Sequence, residues 1–188
     1  MIFSALMFVF LILAMMIQEF LPVMSLGSIK ILFLMPWSFF YVIALTVPYP
    51  VMLFFALATG LMWDARHGLP LESPLPFGTR VILFALMGSF MQGIRPLFQR
   101  GHWFLPVIMV GLAVLFQRIS EFLLICFTAG DFQFSAEIWM TMIATAGAAM
   151  LIAPFLLIII SRVAKRCGYQ LEFEQFMFKR AYSHGHQI

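Results

Sequence analysis

The sequence predicts an all-α fold, a polytopic membrane bundle of six transmembrane helices with both termini in the cytoplasm. Three observations carry that expectation: a deficit of charge, the spacing of the apolar runs, and the uneven distribution of arginine and lysine. Of 188 residues, 63% are hydrophobic and only 10% are charged, with a mean hydropathy of +1.02. An ordinary soluble domain carries about 25% charged residues, so this chain lacks the polar surface that water demands. A bilayer core about 30 Å thick takes roughly 20 apolar residues per helical span. Six apolar runs of that order, joined by short loops, account for most of the chain.

The first run, Ile2 to about Leu21, has no basic leader and no small-residue cleavage site, and it outlasts a signal sequence's apolar core. It reads as a retained span. The second covers about Ile29–Val47, and Pro48-Tyr49-Pro50 ends it, because each proline lacks an N–H and restricts the residue before it. The third, about Val51–Asp64, is short and borrows flanking residues. A loop rich in glycine and proline follows over residues 65–78. The remaining runs are about Thr79–Phe98, Phe104–Thr128 and Ala136–Ser161. The chain thus divides into a membrane domain, 1–163, and a cytoplasmic tail, 164–188. In the tail, Tyr169, Phe173, Phe176 and Met177 fall on one helical face, which fits either an amphipathic interfacial helix or a frayed end.

Orientation follows from the basic residues. The termini and the loops on their side carry Arg95, Arg100, Arg162, Lys165, Arg166, Lys179 and Arg180, whereas the opposite loops carry Lys30, Arg66 and Arg80. That excess puts both ends inside, with Asp131 and Glu137 outside. Trp63, Trp103 and Trp139 fall at span ends, as interfacial tryptophans do, and Trp37 does not. The formal charge of +3 is small and scattered, which argues against nucleic acid and leaves membrane lipid as the environment. Cys126 and Cys167 are expected at different depths and unpaired.

Polar residues inside the apolar runs are the informative ones. Gln117, Arg118 and Glu121 share a face of the fifth span, and a charge at helix centre costs roughly 2.5–3.5 kcal/mol on insertion scales. Arg118 and Glu121 should therefore pair and face the bundle or a partner. Gln18 and Glu19 close the first span and Asp64 closes the third on the same side, so a polar cluster joining the first, third and fifth helices is expected in the outer half. Such a cluster serves either to orient helices during assembly or to contact a partner or ligand. Small residues at four-residue spacing (Thr141, Thr145, Ala149 and Ala153 on the sixth span, Ala56 and Gly60 on the third) form ridges for close helix packing.

No catalytic, cofactor-binding or metal-binding constellation is expected. The histidines (His67, His102, His184, His186) are dispersed, and no phosphate-binding glycine loop or nucleophile elbow appears.

Several of these residues, in this order, carry a resemblance. Ile17-Gln18-Glu19-Phe20-Leu21-Pro22 closes the first span. Gly60 and Asp64 end the third helix, Gly68 and Pro70 follow, and Phe77-Gly78-Thr79-Arg80 opens the next. Phe116-Gln117-Arg118-Ile119-Ser120-Glu121-Phe122 comes late, and Ser161-Arg162-Val163-Ala164-Lys165-Arg166 forms a basic exit. Over roughly residues 2–166 this resembles the rod shape-determining protein MreD family of bacteria. The resemblance implies a non-enzymatic scaffold of the cell-elongation complex in the bacterial inner membrane. Its implied partners are MreC, the RodA glycosyltransferase and a penicillin-binding transpeptidase, with MreB filaments engaged indirectly. The family fold also looks similar to the S components of energy-coupling-factor transporters. Small-molecule binding within a transporter is accordingly the alternative function.

Overall fold

The computed structural model describes residues 2–21, 24–26, 29–67, 75–95, 104–130 and 135–169. Gly68, Pro70, Arg100, His102, Trp103, Asp131 and the tail residues Phe173, Phe176, Met177, Lys179, Arg180, His184 and His186 lie outside that set, as does the proposed tail helix. Among the described residues there are six helices and one short hairpin: α1 (Ile2–Phe20), β1 (Met24–Leu26), β2 (Ile29–Ile31), α2 (Met35–Thr46), α3 (Tyr49–His67), α4 (Thr79–Ile94), α5 (Leu105–Ala129) and α6 (Ala136–Arg166). Three of them, α1, α5 and α6, are long and apolar enough to cross a bilayer.

On α1, Phe3, Met7, Leu11 and Met15 recur every fourth residue and form the buried stripe. On the opposite face Val9, Leu13 and Met16 are exposed, as expected of a helix whose outer face meets lipid. Helix α2 is different: every residue from Pro36 to Thr46 is buried. Its sequence is apolar on all sides, and such a helix belongs inside a bundle. It touches each of the other five helices and forms the core around which they stand.

The second apolar run corrects the sequence reading. It does not begin as helix at Ile29: residues Ile29–Ile31 pair antiparallel with Met24–Leu26, Leu26 opposite Ile29 and Met24 opposite Ile31. Gly27-Ser28 separates the two strands, and Gly followed by Ser is a two-residue hairpin signal that was legible in the sequence. Helix α2 is thereby cut to 12 residues, about 18 Å at 1.5 Å per residue. The other departures are extensions. Helix α3 takes Pro50 into its first turn, where the missing N–H costs nothing, and continues past Asp64 to His67. Helix α6 continues past Ser161, so Lys165 and Arg166 lie in its last turn, favourably placed on the helix dipole. The break at Pro48 is as expected, α2 ending at Thr46 and α3 starting at Tyr49.

The rings of Phe3 and Tyr169 stack with centroids 4.3 Å apart, so the start of α1 and the exit of α6 lie at one end of the bundle. The hairpin, the end of α3 and the start of α4 occupy the other, distal end. Cys126 is buried in α5 and Cys167 is exposed beyond α6, both free.

Candidate functional site: a buried charge chain beside an open cleft

Helix α3 approaches α4 at Gly60. A Cβ built there would stand 2.6 Å from the Val81 Cα, a backbone atom that cannot step aside. One turn on, Asp64 is 2% exposed and faces the first residues of α4. The N-cap of that helix is Gly78, whose φ of 91° is the left-handed conformation glycine tolerates, and which has no side chain with which to cap. Asp64 supplies the missing partner. Its Oδ2 accepts the Gly78 N–H at 2.8 Å, and its Oδ1 accepts from Arg80 Nη1 at 2.9 Å. A carboxylate at a helix N-terminus is also favoured by the dipole.

Arg80 carries the chain onward. Its Nε donates to Glu121 Oε1 at 3.2 Å, and the other Glu121 oxygen accepts from Arg118 Nη1 at 3.4 Å. The Arg118 guanidinium lies 4.9 Å over the ring of Trp37, which is braced edge-on by Trp63 and Phe84 at 5.5 Å each. Asp64, Arg80, Glu121 and Arg118 thus alternate in sign and sum to zero. Burying charge in a low-dielectric interior demands such pairing.

The expected pair of Arg118 and Glu121 is present, but the cluster joins α3, α4 and α5 rather than the first, third and fifth helices. Its bridging member, Arg80, falls among the loop charges in the sequence and is drawn into the bundle by the fold. Gln117 turns the other way and accepts a hydrogen bond from the buried Tyr41 hydroxyl of α2, its Nε2 lacking an acceptor among the described residues. Gln18 Oε1 accepts the N–H of Met35, the first residue of α2, at 2.9 Å. Glu19 pairs with Arg66, which also donates to the Met15 carbonyl at 2.8 Å.

A common device emerges from these contacts. Helix ends buried in an apolar bundle have little water to satisfy them. Gln18 serves the start of α2, and Asp64 serves the start of α4. At the other end of α2, Gln92 Nε2 donates to the carbonyls of Ala44 and Val47 at 2.8 Å each, and Arg95 reaches Val47 at 3.3 Å. Sequence reasoning missed Gln92 and Arg95, whose partners lie more than 40 residues away. The one available signal was an amide inside an otherwise apolar run.

Beside the charge chain, α5, α6 and the residue after β2 enclose a cleft of about 410 Å³ that is open on one side. Its polar lining comes from Arg118, Glu121, Ser135, Glu137, Thr141 and Thr145. Ser135 is the N-cap of α6, its Oγ accepting the Ile138 N–H at 3.4 Å, and Thr145 donates to the Thr141 carbonyl at 2.7 Å. Thr145, Ala149 and Ala153 of the small-residue ridge are buried.

Comparison of the chain with family models, with curated proteins and with solved structures finds no match.

Proposed function

We propose that this chain is a non-enzymatic scaffold subunit of the bacterial inner membrane, organising MreC and the lateral peptidoglycan synthesis machinery of the cell-elongation complex. One observation carries the reading. Gly60, Asp64, Gly78 and Arg80, which are separated in sequence and bear the resemblance to the MreD family, meet in a single joint between α3 and α4. A scaffold needs fixed helices more than reactive groups, and this joint supplies a reason for each of those residues.

In this reading the bundle makes six crossings with both termini cytoplasmic, and the joint faces the periplasm. Helix α2 crosses with help from Leu32–Leu34, which add up to about 10 Å to its length of about 18 Å. The test is affinity purification of the tagged chain from membranes. Recovery of MreC and a penicillin-binding transpeptidase is expected. Their absence, or tags on Met1 and Ile188 reporting from opposite faces, would overturn the proposal.

The cleft favours a second reading, a ligand-binding subunit similar to the energy-coupling-factor S components. Its volume lies in the range of small-molecule sites, about 300–1,000 Å³. Copurification of a transporter ATPase module in place of MreC would select it.

A further inference from the structure

We propose that the cleft between α5 and α6 binds a short zwitterion, an oxyanion joined to a primary ammonium group. The inference rests on the cleft that favours the second reading, and it requires neither MreC nor an ATPase partner. The two kinds of failure are therefore separable: purification reports the partners, and binding reports the cleft.

Arg118 supplies the anion site. Its guanidinium is held in place by Glu121 on one nitrogen and by the face of Trp37 beneath it. Its remaining nitrogens have no protein partner among the described residues, and the side chain lines the cleft. A planar guanidinium fixed on one side and open on the other suits a phosphate or carboxylate. Glu121 is shared between Arg118 and Arg80, so although the four side chains sum to zero, Arg118 keeps donor nitrogens directed at the cleft rather than at Glu121.

Glu137 supplies the cation site. It lies in the first turn of α6, lines the same cleft and forms no ion pair among the described residues. The hydroxyls of Ser135 and Thr141 stand on the same wall. A carboxylate with hydroxyls accepts hydrogen bonds from a primary ammonium. A quaternary ammonium has no N–H to offer and is held instead by aromatic cages, and among the described residues of the lining Phe122 is the one aromatic. The volume equals that of roughly fourteen waters at about 30 Å³ each, which admits a headgroup-sized molecule and not a whole lipid. Ethanolamine phosphate has this chemistry, whether as a free solute or as a phospholipid headgroup entering from the bilayer.

The test uses the full chain in phosphatidylcholine nanodiscs, followed by thermal unfolding and native mass spectrometry. One arm adds soluble phosphoethanolamine, with phosphocholine as its control. The other dopes the discs with phosphatidylethanolamine. Stabilisation in the first arm identifies a free solute, and stabilisation confined to the second identifies a lipid headgroup. Glu137→Gln is expected to weaken the responding probe about tenfold, as loss of a hydrogen bond to a charged group does. Because Glu137 forms no ion pair among the described residues, only its small contribution at the α6 N-terminus is lost, and the unliganded melting temperature should fall by little. No response to either ethanolamine probe, equal binding of phosphocholine, or a Glu137→Gln protein that binds like the wild type would each overturn the proposal.

Discussion

Two ion-paired sites lie at the distal end of the bundle, and they differ in nearly every physical respect. The chain of Asp64, Arg80, Glu121 and Arg118 ties three helices together, and its acidic side chains are 2% and 6% exposed. The pair of Glu19 and Arg66 ties α1 to α3, with side chains 52% and 28% exposed. In the first site removing the bridging Arg80 takes the ion-pair partner from the buried Asp64, and in the second the survivor is free to reach polar surroundings. The lesson is that an ion pair matters here according to what its loss leaves behind, and not according to its length.

Arg80→Ala should have the largest effect. It deprives both Asp64 and Glu121 of their shared partner, and breaking a buried pair typically costs about 3–5 kcal/mol. Folded yield in detergent and the unfolding midpoint should both fall steeply. An Arg80→Ala protein as stable as the wild type would show that the chain bears no structural load.

Arg118→Ala should cost less, about 1.5–3 kcal/mol, the range for a hydrogen bond to a charged group. Glu121 keeps Arg80 when Arg118 is removed. The order of the two arginines in a denaturation series checks this directly, and a reversal would make Arg118 the central member. Gly60→Val tests the joint sterically. With the Val81 backbone 2.6 Å from the new Cβ, α3 and α4 must separate, at about 1–3 kcal/mol for overpacking. A crosslink between cysteines placed on the two helices near this point should then form more slowly.

Glu19→Gln has the smallest expected effect, under about 1 kcal/mol, since exposed pairs contribute little. Its melting temperature should be indistinguishable from wild type in physiological salt. A large loss there would erase the contrast between the two sites.

What the sequence determined by itself was the solvent and the parsing. A mean hydropathy of +1.02 points to an apolar environment, and the Pro48 break marks a helix end wherever the helices are packed. These are local properties, set by side-chain hydration and by backbone freedom residue by residue. The pairing of Arg118 with Glu121 was legible for the same reason, because three residues along one helix is a fixed distance.

Tertiary structure decided the rest. Arg80 read as a loop charge because its partners lie 16 and 41 residues away, and only the close approach at Gly60 brings them together. Gln92 became the cap of α2, and Trp37 the floor beneath Arg118, through packing that no periodicity encodes. The burial of α2 on every side follows from its position among five neighbours. The cleft, likewise, is a space between helices, and such a space has no residue of its own to announce it.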